Sequence, residues 1–173
     1  AVRPLRKPLV VMSPKSLLRH KEAVSTLEDL ASGEFQLVIP EIDTLVNTEV
    51  KRVILCAGKV YYELLAERRS RGIDNIAIVR IEQMYPFPEP KLVEILREYP
   101  NLNDVVWCQE EPMNQGSWYA SQHHMRRSLD VLGSGLNVRY VGREPSAAPA
   151  AGYMALHTRQ QEALINEALA EFI

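Results

Sequence analysis

Two hydrophobic rhythms alternate along most of this chain. Val50 to Ala57 (VKRVILCA), Ile76 to Ile81 (IAIVRI), Val105 to Cys108 (VVWC) and Asn137 to Val141 (NVRYV) are short and apolar at nearly every position. Such runs have no polar face to turn to water, which predicts strands of a sheet covered on both sides. Each is followed by a stretch in which apolar residues recur every three or four positions. Lys59 to Arg71 carries Val60, Leu64 and Leu65, and a helix started by the prolines at 86, 88 and 90 carries Leu92, Ile95 and Leu96. Ser117 to Leu132 and Tyr153 to Ala170 complete the set, the last with Leu156, Ala163, Leu164 and Ala168 on one face. These spacings predict amphipathic helices. Strand followed by helix throughout gives an α/β fold, a mostly parallel sheet with helices on both faces.

The first third reads differently. Leu9 to Met12 is an apolar run bounded by Pro8 and Ser13-Pro14, the pattern of a short buried strand stopped where proline removes a ladder donor. Lys15 to Ala31, with Leu17, Leu18, Val24, Leu27 and Leu30, predicts a helix that ends at Gly33. Glu34 to Thr48 has no sustained period and contains Pro40 and Asn47, so it reads as a connecting segment.

Composition narrows the function classes. A chain of 173 residues, 46% hydrophobic, buries about two thirds of its unfolded surface and needs no disulfide or metal to hold a core. Lys plus Arg number 20 against 22 Asp plus Glu, a net charge of −2, which argues against nucleic acid, whose binders concentrate cations to release counterions. No apolar run reaches the roughly 18 residues of a membrane-spanning helix. The opening Ala1-Val2-Arg3-Pro4-Leu5-Arg6-Lys7-Pro8 has no initiator methionine and no secretory pattern. It fits a processed terminus or a piece of a longer protein, and the longer protein is the expectation. The two cysteines lie in apolar strands without ligand spacing, as expected of a reducing cytosol or an organelle matrix.

The densest polar cluster is Gln109-Glu110-Glu111-Pro112-Met113-Asn114-Gln115-Gly116, directly after the third strand. In an open α/β sheet that is the strand end where ligands and partners are met. Glu110 and Glu111 have two readings. Adjacent carboxylates raise one another's pKa and suit acid/base work. Alternatively one accepts from backbone donors or pairs with a cation while the other meets solvent or an interface, and this is the preferred reading. His123 and His124, about 100° apart on a helix, cannot share a metal as an i, i+4 pair can. Gly58 and Lys59 open a helix and form a weak anion-site signal against the simpler reading of a tight turn. Arg68, Arg69 and Arg71 complement a helix dipole. The loop from Gly142 to Gly152 is rich in small residues and is either a flat contact surface or simply a connection. No nucleophile elbow, Walker loop or Gly-x-Gly-x-x-Gly occurs.

Five stretches carry a more specific signal: LVVMSPKSLLRH (9 to 20), CAGKVYYELLAERR (56 to 69), IAIVRIEQMYPFP (76 to 88), VVWCQEEPMNQGSWY (105 to 119) and PAAGYMALHTRQQEALINEAL (149 to 169). In this order they resemble the carboxyl-terminal end of the thiamine-dependent decarboxylating component of 2-oxoglutarate dehydrogenase complexes, over nearly the whole chain. The resemblance implies a transketolase carboxyl-terminal-domain-like fold from about residue 45 to 173. Residues 1–44 would be the tail of the preceding pyrimidine-binding domain and a linker. It implies a homodimeric parent enzyme of the tricarboxylic acid cycle, using thiamine diphosphate and magnesium. The parent decarboxylates 2-oxoglutarate and passes the succinyl group to a lipoyl group on the dihydrolipoyl succinyltransferase component.

The family's catalytic histidines, diphosphate and metal motif and activating glutamate lie upstream of the matched region, so no catalytic, cofactor-binding or metal residue carries over. This chain alone is expected to be inactive and to hold no cofactor. What carries over is an interface or active-site approach built from Gln109, Glu110, Glu111, Asn114, Gln115, Gly116 and His123. Actinobacterial members place an allosteric acyl-CoA site in this domain, using basic residues after the Gln of the RIEQ motif. Here that residue is Gln83, the later stretch reads Glu89-Pro90-Lys91, and only Lys91 keeps the charge. A stand-alone regulatory module binding a nucleotide or acyl-CoA at Lys59, Gln83 and Lys91 is the competing reading. The expected compartment is the bacterial cytoplasm, ahead of the mitochondrial matrix.

Overall fold

The computed structural model describes residues 7, 8 and 10 to 170. It divides into two compact units, Ala1–Gly33 and Glu34–Ile173. In the first, a 3-10 turn spans Lys15–Arg19 and helix α1 spans Leu27–Ser32. The helix expected over 15 to 31 is therefore broken. Thr26 and Asp29 form a reciprocal capping box, which starts a new helix rather than continuing an old one. The predicted strand at 9 to 12 is corrected too: Leu9 lies outside the described residues, and Val10, Val11 and Met12 are exposed and form no strand. An apolar run becomes a strand only where a neighbour completes its ladder. Of the chain opening, Ala1 to Arg6 lie outside the described residues.

The second unit holds a five-stranded sheet in the order β1-β3-β2-β4-β5. The strands are β1 (Val38–Ile39), β2 (Arg52–Cys56), β3 (Ile76–Ile81), β4 (Asp104–Pro112) and β5 (Val138–Arg143). All neighbours are parallel except β1 against β3. The helices are α2 (Val60–Arg71), α3 (Glu89–Leu96), α4 (Trp118–Leu132) and α5 (Met154–Ala168). The period of two along each strand sorts its side chains between two cores. Val53, Leu55, Val79, Val105 and Trp107 face α3 and α4 through Leu92, Ile95, Met125 and Leu129. Ile54, Cys56, Ile78, Val106 and Cys108 face α2 and α5 through Leu64, Leu65, Leu164 and Ile165. Buried Arg52 fixes the end of α5 by donating to the Ala168 carbonyl at 2.9 Å, a cation at a helix C-terminus.

Two findings correct the element readings. The segment from Glu34 to Thr48 is not only a connection, because Val38 and Ile39 pair with Ile81 and Arg80 as the antiparallel edge, and it lies within the compact unit Glu34–Ile173. Pro40 ends that strand, and the Glu41 carboxylate takes over, accepting the Ile78 N–H at 2.7 Å and pairing with Arg68. Arg68 also donates to the Ile76 carbonyl at 2.9 Å. An acid and a base thus complete an edge that backbone leaves open. Strand β4 also runs four residues beyond Cys108, through a register irregularity between Gln109 and Pro112 that keeps it paired to β5. Much of the polar motif is therefore strand.

Candidate functional site

The sheet order places a topological switch between β2 and β4, since the chain leaves β2 toward β3 on one side and returns to β4 on the other. A crevice at the carboxyl ends of such strands is where open α/β sheets meet ligands. Lys59, just after β2, stands there, with its Nζ 2.5 Å from Glu63 of α2 and 3.2 Å from Glu110 of β4. Burial alone would depress the ammonium, yet the Glu63 hydrogen bond and the charges of Glu110 and Glu63 raise it above the ordinary lysine value. Glu63 continues the line by accepting from Gln161 Nε2 at 2.8 Å. Gln161 Oε1 accepts from Arg143 at 2.9 Å, and Arg143 reaches His157 Nδ1 at 3.0 Å. The switch crevice is closed by the chain's own charges.

Gln109 organises the motif itself. It is 3% exposed, and its Oε1 accepts from Trp107 Nε1 at 2.8 Å and from the Trp118 N–H at 3.1 Å. Its Nε2 donates to the carbonyls of Glu111, Pro112 and Gln115 at 3.2, 3.2 and 2.8 Å. One buried amide thus ties β4, the turn after it and the start of α4 into a unit. Gly116 makes the turn fit: its φ is +63°, and a Cβ there would lie 3.0 Å from Gln109 Nε2. Only glycine meets both demands without strain.

Asn114 and Gln115 face the chain's own loop. Asn114 donates to the Ser146 carbonyl at 3.0 Å and accepts the Ser146 N–H at 2.9 Å. Gln115 Nε2 donates to the carbonyls of Ser146 and Ala148. Glu110 is half-buried on Lys59 with its Oε2 unpaired, whereas Glu111 is exposed. The two carboxylates diverge, so they do not form an acid/base pair. His123 is exposed, with its ring 4.0 Å from His124. His124 is held by Glu89, which also meets Arg127, and stacks on Phe87.

Each of the three residues of the competing ligand-site reading has a partner within the chain. Lys59 is held by Glu63 and Glu110, Gln83 Nε2 by the Pro86 carbonyl at 2.7 Å, and Lys91 by Glu94 at 2.9 Å. Glu63, Arg143, His157 and Gln161 were not candidates in the sequence because they sit on three elements, α2, β5 and α5, with nothing local to join them. Among the described residues, no three His, Cys, Asp or Glu side chains converge as metal ligands, and no helix is long and apolar enough to cross a membrane.

Comparison with known proteins completes the picture. A family model described as "2-oxoglutarate dehydrogenase C-terminal" matches residues 24–169. The chain is 60% identical over 167 residues to the "2-oxoglutarate dehydrogenase E1 component" of Azotobacter vinelandii, covering 96% of this chain and 18% of that protein. Proteins of the same name from Coxiella burnetii and Haemophilus influenzae are 53% and 50% identical over 97% and 98% of this chain. The chain spans about 18% of the length of each of these relatives.

Proposed function

The chain belongs to the 2-oxoglutarate dehydrogenase C-terminal family, and from that premise we propose that it is the carboxyl-terminal assembly domain of a 2-oxoglutarate dehydrogenase decarboxylating component. In the parent enzyme, thiamine diphosphate with magnesium, held by residues outside this chain, would supply the chemistry for decarboxylating 2-oxoglutarate, and the succinyl group would pass to a lipoyl group of the dihydrolipoyl succinyltransferase component. This domain contributes dimer assembly and the shape of the approach to an active site built by residues outside the chain. Residues 1–44 supply the tail of the preceding pyrimidine-binding domain and a linker, and residues 45–173 the transketolase-like carboxyl-terminal domain. The bacterial sources of the relatives support a cytoplasmic enzyme.

The observation that carries this reading is the closed crevice. Lys59 is matched by Glu63 and Glu110, and Gln109 spends both amide atoms on its own loop. A reaction centre needs polar groups free to meet a substrate, whereas these are committed to the fold. The charged groups at the strand ends are paired within the chain, Lys59 with Glu63 and Glu110 and Arg143 with Gln161 and His157, so no chemical step is assigned to them. At the strand ends, exposed Glu111, Asn114, Gly116 and His123, with Tyr85 at 89% and Tyr119 at 57% exposure, supply the polar and aromatic surface of an interface.

The test has two arms. Calorimetry of the isolated chain is expected to show no thiamine diphosphate binding and no CO₂ release from 2-oxoglutarate; micromolar binding would overturn the reading. In the full-length enzyme, Glu110→Gln with Asn114→Ala is expected to weaken dimerisation or turnover. If both stay at wild-type levels, the motif has no interface role.

A further inference from the structure

We propose that His157 and Arg143 form an acid-released latch that holds the first turn of α5 against the end of β5. The latch goes beyond the proposed function and does not depend on it. Arg143 Nη2 lies 3.0 Å from His157 Nδ1. A guanidinium can only donate, so Nδ1 must accept, which makes the imidazole neutral with its proton on Nε2. Protonation of Nδ1 turns the acceptor into a donor and sets two cations face to face. The contact then breaks.

The surroundings give the contact its weight. Arg143 is 9% exposed, its Nε is buried without a hydrogen-bond partner, and Nη2 is shared between His157 and Gln161 Oε1. The charged groups around the ring come from four elements. From β5 there is Arg143, with exposed Glu144 next in the chain. From α2, Glu63 holds Gln161 at 2.8 Å and is joined to Lys59, which meets Glu110 of β4. Within α5, Arg159 and Glu162 are exposed. Among the described residues, Arg143 is the one side chain within hydrogen-bond distance of the ring, so no carboxylate in contact compensates the added proton.

The part that opens is bounded. The contact joins the two ends of residues 144 to 156. The first half of that loop is pinned by the motif after β4, since Ser146 N–H donates to Asn114 and the Ser146 and Ala148 carbonyls accept from Asn114 and Gln115. These bonds do not involve His157. On the other side, His157 N–H donates to the Tyr153 carbonyl at 3.0 Å, and Tyr153 gives α5 no side-chain cap. An uncapped first turn opens at low cost once its side-chain tether is lost. Opening is therefore confined to the stretch from Pro149 to His157.

The test is amide exchange together with nitrogen NMR of the imidazole, on the intact protein, between about pH 7.5 and about pH 5.5, within the range where histidine changes charge. At the higher pH, Nδ1 is expected to carry no proton. As the ring protonates, the protection factor of the His157 amide should fall by about ten-fold or more, the worth of a hydrogen bond to a charged group. Ser146 and Leu164 should keep theirs. In His157→Asn, whose Oδ1 accepts from Arg143 at any pH, protection at position 157 should not change with pH. A neutral ring with its proton on Nδ1, or a ring still neutral at about pH 5.5, would overturn the proposal. So would unchanged protection at His157 once the ring is protonated, an equal loss at Leu164, or the same loss in His157→Asn.

Discussion

Arg68 donates from both terminal nitrogens to the Glu41 carboxylate, and Glu41 in turn accepts the backbone N–H of Ile78 at 2.7 Å. The pair is 1% and 6% exposed. A residue from an apparently unstructured stretch thus neutralises a buried cation and finishes a strand edge. Glu41→Ala leaves Arg68 with a partner missing and Ile78 without an acceptor, and breaking one side of a buried pair costs about 3–5 kcal/mol. The expected drop appears as a lower urea midpoint at unchanged slope. A loss below about 1 kcal/mol would show the pair to be no stronger than a surface one.

Asp43 lies beside the same group. Its hydrogen bond to Arg69 holds the carboxyl at about 2, with Arg68 adding to the effect against the opposing pull of burial. A depressed folded-state pKa stabilises above the unfolded value of roughly 3.9 and loses that stabilisation as pH falls toward 2. Wild type should therefore exceed Asp43→Asn in stability at pH 6, and the gap should close between pH 4 and 2. A gap that is constant across this range would mean that the carboxylate charge contributes nothing.

Gln109→Ala removes an amide that makes five hydrogen bonds, orphaning Trp107 Nε1 and the Trp118 N–H. Each buried group left unpaired costs about 1–3 kcal/mol, so a total of roughly 2–4 kcal/mol is expected after relaxation. Amide exchange at Trp118 should quicken more than at the centre of β2. Equal protection in both proteins would show that the turn holds without its amide.

A Cβ on Gly142 would lie 2.4 Å from Tyr140 Oη and 2.7 Å from the Gln109 carbonyl oxygen. Overpacking of this kind costs about 1–3 kcal/mol, and Gly142→Ala should reach the upper end because one obstacle is backbone. Adding Tyr140→Phe removes only the hydroxyl, so thermal unfolding of the double variant should show no full rescue. Recovery to the melting temperature of Tyr140→Phe alone would place the whole conflict at the phenol.

Cys56 and Cys108 are register neighbours on β2 and β4, both fully buried. Burial pushes Cys108 up to about 12 and Cys56 well above its ordinary value, and it is the thiolate that reacts. A thiol reagent at pH 8 should therefore label neither residue in the folded protein and both on unfolding, at the unfolding rate. Fast labelling of one cysteine in native protein would contradict this packing.

The strand-helix alternation was readable because it is local. Ile76 to Ile81 forms a strand over the predicted residues, and α4 and α5 match within two residues at each end. Strand β4 was underestimated because Gln109 to Pro112 are polar or proline, and only the presence of β5 makes them strand. The short edge β1 had no period to detect, since two residues cannot show one. The Gln109 to Gly116 motif stood out by its words alone, but its main bonds, to the loop at 146–148 and to Trp118, are tertiary.

The sequence by itself determined the α/β class, the apolar faces and, through five long motifs, the resemblance to the family to which the chain belongs. These are local patterns or matched words, and neither needs distant residues to meet. Only the tertiary structure decided that Lys59 is spent on Glu63 and Glu110, that Glu41 serves Arg68, and that Arg143 ends beside the first turn of α5 with a free buried Nε. Those facts depend on which charged side chains share a small volume once the strands are ordered. Coulombic and hydrogen-bond energies fall off over a few ångströms of space, a distance the linear chain does not record.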